Sequence, residues 1–335
     1  MIFKILSVEG GGILAIKFLI GLLKISKEFD KEKKDLFSYF NVFSGVSSGA
    51  IISSVICLRE KILQNIARND SKLFGIILRE SGYSDVKVIR DKILKNSMNC
   101  STLILNFLIY FFKEKGKEIF EVNKEENGTK YTDKKREIFK KYINYSLKDI
   151  VKNRYLICKA FNLKDLKIDY FTNLEKNSYT NNIAEIIDWS SNAPTYFPNN
   201  GVHIDGGNFI NSVYYTERGL FRDGDMVIFS VGSRVSKIRL PFLDEEYNWI
   251  KTAVNVLYNF GKQIDKMVND KYYQLQLDFK DYQLDDIGKI DEIIKSANEV
   301  LVDDGIDFLR ENIMQGCVSK KHVRCVSVKR CCRKS

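Results

Sequence analysis

The sequence predicts an α/β fold, a three-layer arrangement with a mostly parallel central sheet and helices on both faces. Three observations predict it. Short, continuously apolar runs recur along the chain, as buried strands do. Stretches with apolar residues at helical spacing stand between them. Turns rich in glycine and serine join the two kinds of segment, in the alternation of a parallel sheet covered by helices.

The elements follow in order. "IFKILSV" (2–8) reads as a buried strand and runs into Gly10, Gly11 and Gly12. "ILAIKFLIGLLKISKEF" (13–29) is an amphipathic helix with lysines on its outer face. "LFSYFNVFSG" (36–45) holds a short helix end and a strand, "NVFS". A tight turn over 45–49 leads to a second helix, "AIISSVICLREKI" (50–62). Residues 63–150 are rich in Lys and Asn and carry helical periodicity without a strand pattern, so they read as a helical insertion or cap. Strands resume at "RYLICKAFNL" (154–163) and "DYFTNL" (169–174). "NNIAEIIDWSSNAPTYFP" (181–198) reads as a helix ended by Pro194, and "VHIDGGNF" (202–209) as a strand closing on Asp-Gly-Gly. "DMVIFSVGS" (225–233) is a further buried strand, and 249–315 has a helical pattern. Residues 1–315 are therefore expected to form one domain, and 316–335 a disordered, basic, cysteine-bearing tail.

The bulk numbers narrow the function classes. A chain of 335 residues can bury a full core, and 44% hydrophobic with 29% charged residues is ordinary for a globular protein. The net charge of +10 would suit nucleic acid, an anionic membrane surface or a solubilising coat. Lysine-rich stretches such as "KEKK" (31–34) alternate with acids, as a solvated helix face does. No RNA-binding signature or zinc-finger spacing accompanies them, so no nucleic-acid partner is expected. The N-terminus has no apolar h-region of a secretory signal. "TLILNFLIYFF" (102–112) is too short for a bilayer span of about 20 residues and reads as a core or an interfacial helix. Of seven cysteines, Cys57, Cys100 and Cys158 lie in apolar runs, as reduced core thiols do, and a cytoplasmic location is expected.

Gly45, Ser47 and Gly49 form G-x-S-x-G. The string is weak alone, but a strand precedes it and an apolar helix follows. That is the setting of a nucleophile elbow, where the serine sits on a strained strand-to-helix turn. Side chains at 45 and 49 would collide with the neighbouring strand and helix. The rival reading is a small-residue turn capping a helix.

A serine nucleophile needs a base and an oxyanion hole. The amides of Gly10, Gly11 and Gly12 are the candidate hole. Gly10, Gly12 and Ala15 also fit a dinucleotide fingerprint, but the place of its second, acid-ended strand is taken by "SKEFDKEKK", which is no strand. The two histidines are poor bases. His322 lies in the basic tail, and His203 shares a strand face with Asp205, where packing or hydrogen bonding is its expected role. The order Ser47, Asp205, His322 would suit an α/β-hydrolase triad, yet that fold places several strands before its nucleophile. Asp205, in "HIDGG", remains: a desolvated carboxylate within about 3 Å can deprotonate a serine directly. A plain D-G-G turn is the alternative. There is no EF-hand-like loop, and Cys325, Cys331 and Cys332 with His322 fit no zinc spacing, so no cofactor is expected and activity should be calcium-independent.

The glycine run, G-x-S-x-G and D-G-G in this order resemble the patatin-like phospholipases. "SYFNVFSGVSSGAI" resembles the family's elbow segment, "WSSNAPTYFP" (189–198) its Ser-x-Ala-Pro-Thr-Tyr-Phe-Pro stretch, and "IDGGNFIN" its aspartate segment, with Asn211 on the first asparagine. The likeness spans about residues 3–235. It implies a Ser–Asp dyad without histidine, Ser47 as nucleophile, Asp205 as general base and Gly10–Gly12 as oxyanion hole. It implies a lipid acyl ester substrate and a phospholipid membrane surface as the peripheral partner. The chain departs from the family at Leu14 and Ala15, where a basic residue and Gly are usual; Lys17 is the nearest substitute. Glu9 stands for the more usual Asp, and Ser212 and Val213 replace Asn-Pro. These departures keep a second reading open, a catalytically impaired lipid- or partner-binding module.

Overall fold

A computed structural model describes residues 2–122, 130–174, 182–194, 196–198, 201–208, 221, 225–233, 271–278 and 282–314. The first strand, β1 (Ile2–Val8), passes through the glycine run and a 3-10 turn (Gly12–Leu14) into α1 (Ala15–Lys31). Then come β2 (Val42–Val46), α2 (Ser48–Cys57), α3 (Arg59–Asn69), α4 (Ser71–Glu80), α5 (Val86–Leu94), α6 (Ser101–Ile119) and α7 (Lys134–Tyr142). β3 (Tyr155–Asn162), β4 (Lys167–Thr172), α8 (Ile183–Ser190), β5 (His203–Asp205), β6 (Asp225–Ser233) and β7 (Tyr272–Leu277) follow. Two short helices, α9 (Ile290–Ala297) and α10 (Asp303–Phe308), close the described chain, the latter continuing as a π-helix over Leu309–Met314.

The expected α/β architecture is present: a central, mostly parallel sheet flanked by helices. Its strand order is β4-β3-β2-β1-β6-β7, with β5 paired to β3. β1, β2, β3, β6 and β7 run parallel, and β4 and β5 are antiparallel to β3. The chain winds from β1 to β2 on one side and later to β6 on the other. The carboxyl end of β1 is thus a point where strand order reverses, which is where open α/β sheets form their crevice.

The strands are apolar because both faces are covered. Leu6, Val8, Phe43, Leu156 and Phe229 join the larger core with the helices, while Ile5, Val42, Ile157 and Ile228 form a second cluster on the opposite face. Alternate residues of one strand thus serve two cores, the period-2 rule of a strand.

Some expectations are corrected and others are met. The 249–315 region is not helical throughout. β7 lies within it, paired in parallel with β6, and its Leu275 and Leu277 are buried while the alternating Gln274 and Gln276 are not. The helix expected over 50–62 is two helices meeting at Leu58. α8 stops at Ser190, short of Pro194, because Ser190 and Ser191 turn their hydroxyls onto the carbonyls of Lys159 and Ile187, both at 2.6 Å. The apolar 102–112 run is a core helix, with Leu103 to Leu108, Phe111 and Phe112 of α6 buried. Among the described residues no helix is long and apolar enough to cross a membrane. Cys57, Cys100 and Cys158 are free and buried, and burial pushes each thiol up to about 12. The tail residues His322, Cys325, Cys331 and Cys332, together with Asn211, Ser212 and Val213, lie outside the described residues.

Candidate active site

Three segments converge at the carboxyl end of the sheet. β2 leaves the edge of β3 at Val46, opposite Lys159. The next residue of β3, Ala160, pairs with Asp205 of β5. Because β4 fills the other edge of β3, β5 occupies the lane that β2 has vacated. The residue after β2, Ser47, therefore meets the last residue of β5 across a gap made by strand pairing alone.

Ser47 stands between β2 and α2 at φ 57° and ψ −130°, a backbone conformation that side chains other than glycine seldom adopt. It occupies the N-cap position of α2, yet its hydroxyl caps nothing. Its side chain lies within hydrogen-bonding range of the Asp205 carboxylate instead. The turn depends on two absent side chains. A Cβ on Gly45 would overlap the Gly49 carbonyl, and one on Gly49 would overlap the Val8 carbonyl of β1. The elbow is thus clamped against two strands by backbone contact.

Asp205 is buried. Its Oδ1 accepts the Gly207 amide at 2.8 Å. Burial raises the pKa of the carboxyl group, while the Ser47 hydroxyl, the Gly207 amide and the positive charge of Lys135 act against that rise. The result is a carboxylate more basic than one in water, with a serine hydroxyl on it.

The glycine run passes directly over the serine. A Cβ on Gly10 would stand 2.7 Å from Ser47 Cβ and 3.4 Å from its Oγ. The Gly11 amide donates to Ser48 Oγ at 2.9 Å, which pins the loop to the start of α2. Of the three amides, Gly11 is thus turned to Ser48, and Gly10 and Gly12 donate to no acceptor among the described residues. Leu14 and Ala15 point into the core. Lys17 does not touch the glycines; its Nζ donates to the Asp278 carbonyl at 2.8 Å and lies 4.9 Å from the centre of the Tyr282 ring. The segment just beyond reaches the loop, where Ile13 N donates to the Leu284 carbonyl at 2.8 Å. Glu9 packs against Gly232 and accepts Gln274 Nε2 at 2.7 Å, so it ties β1 to β6 and β7.

His203 lies apart from the serine. Its Nε2 is 2.8 Å from Asp169 Oδ2, and its ring stacks on Trp189 with centroids 4.9 Å apart. It packs and pairs, as its place two residues before Asp205 suggested.

One turn was missed by sequence reasoning. Ser47 N donates to both oxygens of Ser190, the carbonyl at 3.1 Å and the hydroxyl at 3.0 Å. Asp205 N donates to the Asn192 carbonyl at 3.0 Å. The Ser190–Asn192 turn after α8 therefore holds both backbones. The "WSSNAP" string marked the place, but its task needs three distant segments to be seen together.

The family model for the patatin-like phospholipases matches residues 6–217. The chain belongs to that family. Members of the patatin-like family are lipid acyl hydrolases, and the matched span carries the glycine run, Ser47, the Ser190–Asn192 turn and Asp205. No curated protein matches the chain. Among solved structures, it is similar to VipD from Legionella pneumophila, at 14% identity and a TM-score of 0.35, over 89% of this chain and 67% of that one. It is also similar to the ExoU–SpcU complex from the type III secretion system of Pseudomonas aeruginosa, at 13% identity and a TM-score of 0.25, over 92% of this chain and 60% of that one.

Proposed function

We propose that the chain is a serine-dependent lipid acyl hydrolase of phospholipase A or lysophospholipase type, working through a Ser47–Asp205 dyad. The observation that carries this reading is the Ser47 side chain, on a strained turn at the end of the sheet, within hydrogen-bonding range of a buried carboxylate.

The chemistry follows from the atoms present. As Ser47 Oγ attacks the ester carbonyl carbon, its proton passes to Asp205. Burial makes that carboxylate a better base than one in water. The carbonyl oxygen becomes an oxyanion beside the glycine run, where the Gly10 and Gly12 amides have no acceptor among the described residues while the Gly11 amide fixes the loop through Ser48. Removing one such donor typically costs about 2.7–4 kcal/mol of transition-state stabilisation. The positive end of α2 adds to the field there. Asp205 returns the proton to the departing lyso-lipid or alcohol oxygen, leaving an acyl ester on Ser47. Water then gives a proton to Asp205 and attacks that ester, and the fatty acid leaves as Ser47 regains its proton. No metal ion has a role in these steps.

The substrate would be met at a phospholipid surface, bound peripherally. The chain's +10 net charge favours anionic lipid, at about 1 kcal/mol per Lys or Arg near the surface. Fatty-acid release from vesicles of defined phospholipids, with and without a chelator, tests the reading. Release in both conditions, lost in Ser47→Ala, is the expected result. Release that survives Ser47→Ala, or is abolished by the chelator, would overturn it.

A further inference from the structure

Lys135 is an unusual lysine. It lies on α7, outside the strands and turns that make the site, yet it is only 1% exposed. A buried ammonium is costly unless paired, and burial accordingly lowers its pKa. Its Nζ donates to the Asp188 carbonyl at 3.0 Å and reaches Ser191 Oγ at 3.5 Å, and it lies 4.5 Å from the centre of the Phe197 ring. Asp188 Oδ1 is 3.4 Å away. These partners sit on the last turn of α8 and just after it. The same turn accepts the backbone amides of Ser47 and Asp205.

The charges do not balance locally. Asp188 is shared by Lys135 and by Arg136, whose Nε donates to Asp188 Oδ2 at 2.9 Å. Two cations thus share one carboxylate. Asp205 is a second buried anion, and it and Lys135 act on each other electrostatically. Asp133, at the start of α7, adds a weaker pull on Lys135. On the strand side, His203 is engaged with Asp169, and Lys159 of β3 stands one residue before Ala160, the strand partner of Asp205.

We infer that Lys135 is a positioning residue for the dyad. Its ammonium holds the Ser190–Asn192 turn that carries Ser47 and Asp205, and it presents a buried positive charge to the Asp205 carboxylate. The role rests on the dyad reading above and extends it to a helix of the 63–150 region, which becomes part of the machinery. A lysine there opposes the rise that burial imposes on the Asp205 carboxyl group, without touching substrate.

The test titrates Asp205 directly, by NMR of carboxyl-labelled aspartate, with Asp205→Asn to assign the resonance. Lys135→Met should raise the titration midpoint, and Lys135→Arg should restore it. Where Lys135→Met fails to fold, Lys135→Met/Asp188→Asn removes both buried charges and should show the same rise relative to Asp188→Asn. On a soluble ester, the acid limb of kcat/KM should move to higher pH by the same amount. A folded variant without Lys135 whose Asp205 midpoint is unchanged overturns the inference. The NMR midpoint needs no turnover. A chain that hydrolyses nothing would therefore count against the dyad's activity and leave the lysine measurement decisive on its own.

Discussion

The amide of Ser47 is held by Ser190, whose carbonyl and hydroxyl oxygens lie 3.1 and 3.0 Å from it. The Ser190 hydroxyl in turn donates to the Lys159 carbonyl of β3 at 2.6 Å. One buried hydroxyl therefore links the elbow to the strand on which Asp205 is registered. Ser190→Ala removes the hydroxyl from both contacts while leaving the carbonyl bond. It should lower kcat on a soluble ester by tenfold or more with KM little changed, and cost about 1–3 kcal/mol in denaturant unfolding. An unchanged kcat would mean the elbow needs no such support.

The glycine requirement is local and can be contrasted within one chain. At Gly49 an added methyl would overlap the Val8 carbonyl, whereas at Gly75, within α4, nothing lies within 4 Å. Gly49→Ala should prevent folding or destabilise severely. Gly75→Ala should stabilise by about 0.5–1 kcal/mol, the ordinary helix preference for Ala. Thermal unfolding of the two variants separates the cases.

Asp205 should make stability depend on pH in a definite direction. Burial raises its pKa in the folded chain above the unfolded value. The folded state then binds the proton more tightly than the unfolded state does. Its contribution to stability is present below the unfolded pKa and is lost as pH rises through the folded one. Asp205→Asn carries no such charge. It should unfold at a higher temperature than the parent at pH 7.5, with the gap closing toward pH 3.5, while hydrolysis is lost. A gap that is constant with pH would contradict the assignment.

The carboxyl-side segment that meets the glycine run is anchored by Asp285, which accepts hydrogen bonds from Lys130 and Tyr131. Its neighbour Leu284 supplies the carbonyl that accepts Ile13 N. Asp285→Ala should release that carbonyl, and the Ile13 amide should then exchange with solvent tenfold faster or more. Unchanged protection would mean the loop is ordered without the Asp285 anchor, by the Gly11–Ser48 contact.

The legible parts of the molecule were those whose chemistry is local. The glycine spacing around Ser47, the strand into Asp205 and the apolar run of β1 each state their conformation within a few residues. β7 was not legible. Its two buried leucines are too few to set a period-2 signal against a long helical stretch, and the partner of Gln274, Glu9, lies 265 positions away. The end of α8 was misplaced because Pro194 is a louder signal than two serines whose hydroxyls find carbonyls. Lys135 lies in "TDKKREIFKKY" (132–142), where lysines alternate with acids as on a solvated face. Helical spacing puts it on the face of Ile138 and Phe139, but its charge argues for solvent, and what makes its burial tolerable is Asp188, 53 positions on.

The central claim is that Ser47 is an activated nucleophile facing a working oxyanion hole. Labelling with a fluorophosphonate, read by mass spectrometry of the modified peptide, tests it most directly. A single adduct on Ser47, absent after Asp205→Asn and slowed when the glycine loop is disturbed by Gly10→Ala, is the expected result. A folded chain that takes no label, or takes it on another residue at the same rate with and without Asp205, would contradict the account.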